Sequence, residues 1–378
     1  MGLRIPRNWA VTGFALFQFS TTSAWALLKF NEGRDQIFIN TSVSAGYDSN
    51  IFAQKDGEGD IVSNGSVSLE YERHAGMIGV NGQVGWNLGR FASNASEDFS
   101  NPTLSLELVK DSGRTTGSFT LNATRQSQAD PNVNARTDSW SYGTGLNWKY
   151  PVIERYSVAG SFGYGLIDYV DNTAGLSDLA TYTASGDLYY AYSSQRDIVA
   201  GYRIRQSDTT TGGGTTDHAF TAGVSGKILA KLKGTIRGGY QIREDGTTGQ
   251  NYGSTTASAS ATWTVNKRFT LTGTLNKDFS TTASESSVDT LSFNLDAQYA
   301  LRNRWSLYSG IGAGYSDFLN GKDAGRTDRY VTGSIGVNYT LNEHFKASLT
   351  YSYFQNWSTR DVSNFDRHSI TLNLSSRW

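Results

Sequence analysis

Cysteine is absent from the 378 residues. That excludes disulfide staples, thiolate metal sites and a lipid-anchored N-terminal cysteine. Histidine and proline number four each and methionine two. The histidines, at 74, 218, 344 and 368, are thinly spread material for a metal cluster or a His-dependent catalytic centre. The formal charge of −1 gives no basic surplus for nucleic acid and no acidic tail. Beyond residue 26 no stretch reaches the ~18 consecutive apolar residues of a spanning helix. What the chain does have is glycine (41), tyrosine (21) and 13% aromatic residues. Its mean hydropathy of −0.43 reads as soluble, but polar and apolar residues that alternate strictly cancel in any window.

The first residues read as a secretory leader. Arg4 and Arg7 supply a positive start, an apolar stretch follows from Trp9 to Phe19, and Ala24-Trp25-Ala26 gives an A-x-A cleavage pattern. The expected division is a leader at 1–26 and a single domain at 27–378, with no composition break inside it. Losing the two arginines takes the formal charge from −1 to −3.

From Gln36 onward the dominant period is two. Leu291, Phe293, Leu295, Ala297, Tyr299 and Leu301 alternate with Ser292, Asn294, Asp296 and Gln298. Trp140, Tyr142, Leu146 and Trp148 alternate with Ser141, Gly143, Gly145 and Asn147. A helix would smear these faces together. Connectors alternate between short ones, such as His74-Ala75-Gly76, and longer runs of Gly, Asp, Ser and Thr, such as Ser49–Asp60. Counting between them gives about eighteen strands of roughly 11–14 residues, longer than the strands of most globular sheets.

Such a pattern predicts an all-β fold: a transmembrane, antiparallel, up-and-down β-barrel with short periplasmic turns and longer extracellular loops, in the bacterial outer membrane. In hydrocarbon every backbone N–H and C=O needs a partner, and a closed barrel leaves no edge. Bilayer lipid is therefore an expected partner. The aromatic last residue, Trp378, fits the terminal signal read by the barrel assembly machinery. An even strand count puts both termini on the periplasmic side.

Three asparagines, Asn266, Asn303 and Asn342, lie 37 and 39 residues apart in "VNKRF", "LRNRW" and "LNEHF". One up-and-down strand pair accounts for that spacing. Asn suits a tight turn, Phe269, Trp305 and Phe345 fit an inner aromatic girdle, and Lys267, Arg268, Arg302, Arg304 and His344 fall on the periplasmic rim.

The face expected to look into the lumen is rich in Ser, Thr, Asn, Gln and Gly. A basic arc is predicted from Arg203, Arg205, Lys227, Lys233, Arg237 and Arg243, and an acidic arc, separate from it, from Glu70, Glu72, Glu107 and Asp187. The inward register is preferred because Arg or Lys facing lipid at mid-bilayer costs about 2–4 kcal/mol. Opposed charges can equally keep a lumen wet and braced without selecting a solute. With about eighteen strands the lumen should be an aqueous channel, unless a loop folds in. Asp56–Asp60 lacks the order of a calcium loop, and the glycines at 212–214 lack the lysine of a phosphate loop. No residue pattern asks for a cofactor, a metal or a catalytic step.

Gly46-Tyr47-Asp48-Ser49-Asn50-Ile51-Phe52, closing the first long strand, resembles the outer-membrane β-barrel porin 2 family. The strand layout, basic turns and aromatic terminus fit that family along nearly the whole domain. The resemblance implies a conduit for an exopolysaccharide, with the polysaccharide chain as substrate and a periplasmic polysaccharide export protein as partner, docked at the rim. A diffusion porin for small hydrophilic solutes is the alternative, expected to show a long infolded constriction loop carrying acids opposite a basic wall; none of the loops exceeds roughly fifteen residues, which weighs against it. A structural or adhesive surface barrel is a third reading.

Overall fold

The computed structural model describes residues 26–378 except 75, 132, 133, 171–174, 211 and 247. Of the expected leader only Ala26 falls among the described residues.

A short strand, β1 (Leu28–Phe30), precedes eighteen long ones: β2 (Asp35–Asp48), β3 (Asp60–Arg73), β4 (Gly79–Phe91), β5 (Phe99–Lys110), β6 (Thr116–Asp130), β7 (Ala135–Ile153), β8 (Tyr156–Tyr169), β9 (Leu179–Ser193), β10 (Arg196–Thr209), β11 (Thr215–Leu229), β12 (Leu232–Asp245), β13 (Asn251–Asn266), β14 (Phe269–Thr281), β15 (Ser287–Arg302), β16 (Trp305–Phe318), β17 (Thr327–Thr340), β18 (Phe345–Ser358) and β19 (Phe365–Arg377). Each long strand pairs antiparallel with the next, and β19 pairs with β2, so the sheet closes. β1 folds back on β2 just below the end of β19. The long strands run from 12 to 19 residues, longer at the upper end than the sequence led us to expect.

The pattern of burial is inverted relative to a soluble protein. Val43, Leu69, Val84, Phe162, Leu188, Phe220, Ile236, Ile311, Ile335 and Leu372 are all exposed and point outward. An apolar belt of that kind is stable only against lipid. Aromatic pairs ring the short-turn end: Tyr156 with Tyr190, Phe269 with Tyr299 and Trp305 with Tyr339. Inward, hydroxyls bond across strands, as in Ser42–Ser66, Ser161–Ser185 and Ser225–Thr235.

The closing seam is held at the chain end. Trp378 and Ile39 exchange both backbone hydrogen bonds at 2.9 Å. The Trp378 indole stacks on His344 at 4.1 Å and meets Phe345 edge-on. Two of the three repeated turns are built by their asparagine side chain. Asn266 Oδ1 accepts from the N–H groups of Arg268 and Phe269, and Asn342 Oδ1 from those of His344 and Phe345.

Register in β10–β12 follows the inward expectation. Arg205, Asp217 and Arg243 stand directly opposite one another on successive strands. Their neighbours Ile204 and Ile242 are exposed on the lipid side.

Candidate functional site

The barrel wall is broken at two places, and both breaks shape the lumen. The first lies between β13 and β14. Their ladder ends at Ala257 opposite Lys277, although β13 begins at Asn251 and β14 continues to Thr281. Beyond the break, β14 and the start of β15 lean into the lumen and meet the inner face of β10–β13. Thr215 on β11 and Thr281 on β14 place their hydroxyls 3.3 Å apart. In an unbroken sheet, three strand spacings would hold these residues about 14 Å apart.

A strand that leaves its neighbour exposes backbone groups that need partners. Side chains of the inner wall supply them. Thr256 Oγ1 donates to Lys277 O at 3.0 Å, Arg205 to Phe279 O at 2.5 Å and Arg243 to Ser280 O at 2.6 Å. With its amide nitrogen turned toward Asp278, Gln241 donates to that carboxylate at 2.7 Å and accepts from Phe279 N–H at 3.3 Å. Gln241, Asp217 and Arg243 are completely buried as a result.

Three guanidinium groups share two carboxylates there. Arg203 binds Asp278 through two bonds of 2.7 and 2.8 Å. Arg205 bridges Asp217 (2.5 and 2.8 Å) and Asp278 (3.2 and 3.3 Å). Arg243 binds Asp217 at 2.6 and 2.8 Å. These are charge-assisted, partly bidentate contacts, the stronger class of hydrogen bond. Nearby, Arg237 holds Asp187 at 2.7 and 3.0 Å and the Tyr189 hydroxyl at 2.8 Å. Asp187 therefore joins the basic strands, which corrects the expectation of two separate arcs. Four of the six predicted basic residues are committed to carboxylates and do not line an open wall. Lys227 and Lys233 lie lower, toward the short turns.

The second break lies between β5 and β6, where the ladder ends at Thr103 opposite Thr124 while β6 runs on to Asp130. Its tip also leans inward. Ala129 packs with Ala53, Phe365 and Phe354, reaching β18 and β19 from across the lumen. Arg136 on β7 lies over the Phe91 ring at 4.8 Å, pairs with Glu97 at 3.3 Å and donates to Ile51 O at 3.4 Å. Asn134 donates to Ala53 O at 2.7 Å and accepts from Ser363 Oγ at 3.0 Å.

The receiving surface is the Gly46–Phe52 motif and the loop after it. Buried Asn50 donates to Gln54 O at 2.8 Å and Asp366 O at 3.1 Å and accepts from Gln54 N–H. That folds the loop so that Ile51 is buried and its carbonyl can take Arg136. Asp48 beside it is bound by Arg367.

The two tips stand eight strands apart in an eighteen-strand ring, on opposite sides. They lean in the same rotational sense, β14 back toward β10–β13 and β6 back past β2 toward β19 and β18. Loops brace the β14–β15 tip: Ser177 N–H donates to Ala283 O at 2.9 Å and Ser177 Oγ to Glu285 at 2.7 Å. Asn320 binds Asp245 and accepts from Ser287 N–H at 2.6 Å. The loop half of the lumen is thereby narrowed from two sides.

The remaining predicted residues fall as follows. Glu70 and Glu72 both bind Arg377 near the short-turn end, at 3.3 and 2.5 Å, and Asn40 donates to Glu70. Glu107 faces the lumen between Asn81 and Thr120. Lys267, Arg268, Arg302 and Arg304 lie in or beside the short turns, and His344 Nδ1–H donates to Arg377 O at 2.9 Å. His218 and His368 sit on the lipid face, each bonded to a tyrosine of the adjacent strand, Tyr202 and Tyr351. Asp60 accepts from the backbone N–H groups of Ser93 and Asn94, tying down the loop after β4. Asn134, Arg136, Asp217, Gln241 and Asp278 were not singled out from the sequence.

A closed eighteen-strand antiparallel barrel with an apolar outer belt and a polar lumen is a transmembrane barrel of the bacterial outer membrane, of the porin-like pore type. Residues 215–377, from β11 to the end of β19, match the family described as "Putative beta-barrel porin 2". That bears out the resemblance, although the Gly46–Phe52 motif lies outside the matched stretch. Among solved structures, the fold is similar to Pseudomonas aeruginosa OpdK with vanillate: TM-score 0.50 and 10% identity, over 90% of this chain and 99% of that one. A second structure, P. aeruginosa OccK1 (OpdK), gives TM-score 0.50 and 9% identity over 90% and 99%. Acinetobacter baumannii OccAB2 gives 0.49 and 10% over 91% and 98%. At such identity the likeness is one of fold alone. No curated protein matches the chain.

Proposed function

We propose that the protein is a passive pore for small hydrophilic solutes, entered through an extracellular half narrowed by the two inward tips. The observation that carries this reading is the β14–β15 tip, which brings Asp278 against Arg203 and Arg205. An infolded element carrying acid against a basic wall is the feature that separates a diffusion porin from a wide conduit. Strands form it here, so no long loop was needed. The exopolysaccharide conduit needs polymer width along the whole lumen, and tips bonded to both walls count against it. Charge pairs and hydroxyl ladders in the wall suit hydrated solutes without trapping them. No chemical step is part of the reading. Export by the leader at 1–26 and insertion through Trp378 belong to the same proposal, whereas docking of a periplasmic export protein at the basic rim belongs to the conduit reading.

The test is a deletion strain scored for two properties, with planar-bilayer conductance of the purified protein beside it. The porin reading predicts slower uptake of small sugars and amino acids, unchanged surface polysaccharide and a conducting channel. Loss of surface polysaccharide with unchanged solute uptake would overturn it in favour of the conduit. A non-conducting protein would overturn both.

A further inference from the structure

Lys227 on β11 and Lys233 on β12 are directly opposed across their ladder. Like charges in that position destabilise a strand pair. Both face the lumen. Along the row, Lys233 stands opposite Thr262, Thr262 opposite Thr272 and Thr272 opposite Asp296, a row of lumen-facing polar residues. One step up the same face is the Ser225–Thr235 hydroxyl pair at 2.8 Å.

The groups around the pair do not neutralise it. Arg203, Arg205, Arg237 and Arg243 on the same three strands each hold a carboxylate. Among the described residues, neither lysine has a carboxylate within 4.0 Å. Asp197, opposite Ser225, is engaged by Lys149 at 3.8 Å. Asp296 is three strands away, about 14 Å by strand spacing. Local charge is therefore positive, in a water-filled lumen where a mobile anion is the available counter-charge. Two lysines directly opposed across the ladder, with the Ser225–Thr235 hydroxyls one step away, offer donors that suit the oxygens of a carboxylate.

We propose that Lys227 and Lys233 form an anion subsite at the periplasmic end of the lumen, which takes small solutes bearing more than one carboxylate. The proposal rests on the reading of the chain as a solute pore. A di- or tricarboxylate would bind there, pause and move on, because ammonium groups bind as point charges without a rigid fork.

Citrate is the probe. Calorimetry on detergent-solubilised protein at low salt should show millimolar binding. The K227Q/K233Q protein should lose that affinity at least tenfold, while K227R/K233R and the loop variant K322Q retain it. In bilayers, citrate added on the periplasmic side should block current in wild type, and tenfold less in K227Q/K233Q. Wild type that does not bind citrate, or K227Q/K233Q that binds it as wild type does, overturns the subsite. Citrate binding lost in K227Q/K233Q, together with no conductance in any protein, leaves the subsite standing and overturns the pore reading. Conductance with unchanged block in K227Q/K233Q does the reverse. Failure of K227Q/K233Q to fold would be read from K227R/K233R and from each single Gln variant, which must show intermediate affinity.

Discussion

Asp278→Asn isolates the bond that seats the β14–β15 tip. The wild-type carboxylate receives two hydrogen bonds from Arg203 and two longer ones from Arg205. Removing one partner of a buried ion pair costs about 3–5 kcal/mol. Arg203 is 27% exposed to the lumen and Arg205 keeps Asp217, so the lower end applies. About 3 kcal/mol is roughly a 150-fold fall in the ratio of seated to released tip. Thr256, Gln241, Arg205 and Arg243 still hold the backbone of the strand, so release should be intermittent. Single-channel recording should show new openings of higher conductance in D278N at neutral pH. D361N serves as the comparison, because its pair with Lys55 is exposed and such pairs contribute 0 to about 1 kcal/mol. If D278N traces match wild type, or if conductance falls, the tip is not a constriction seated by this carboxylate.

The second tip gives a parallel case. R136A should raise open-channel noise and loosen the loop at 49–59 to protease, because Ile51 O and Glu97 lose their cation; unchanged traces and cleavage would refute that. W378A removes the His344 stack and the Phe345 contact, worth about 0.5–1.5 kcal/mol each beyond area. It should slow barrel assembly and lower the temperature at which the folded gel band disappears, while backbone pairing with Ile39 limits the loss. G46V should abolish the folded band, since a Cβ at Gly46 would lie 2.5 Å from Ile370 O on the closing strand; a folded, heat-stable G46V barrel would contradict the seam geometry.

The barrel was legible in the sequence because its cause is strict. Lipid outside and water inside impose a period of two on every strand, and Leu291–Tyr299 shows it without exception. Strand number, turn placement and the inward register of Arg205 and Arg243 followed from the same rule. The tips were not legible, because β6 and β14 keep their strand character beyond the point where their neighbours stop pairing. No glycine, proline or strand break marks the departure within Arg125–Asp130 or Lys277–Thr281. The available signal was charge on the wrong parity. Lys277 and Asp289 share the lipid-facing alternation of Leu275 and Leu291, and Arg125 and Asp138 that of Tyr142. Such charges are tolerable only if those strand ends have left the lipid surface. They pair with each other, Lys277 with Asp289 at 3.3 Å and Arg125 with Asp138 at 3.1 Å. The predicted arcs failed for a related reason: a strand list places charges around a circle, whereas Asp278 reaches Arg203 by crossing the inside of it.

The chain has no cysteine, so a single introduced pair reports on the fold without interference. T215C/T281C joins two positions whose hydroxyls are 3.3 Å apart across the broken wall. A disulfide requires Cα atoms within about 7 Å, half the distance an unbroken wall would impose. Mild oxidation of the assembled barrel should cross-link the pair completely and leave single-channel conductance at the wild-type level, because the tip already lies against β11. Persistent free thiols, or a conductance that drops when the bond forms, would show that the tip stands in the wall and that the lumen is wide.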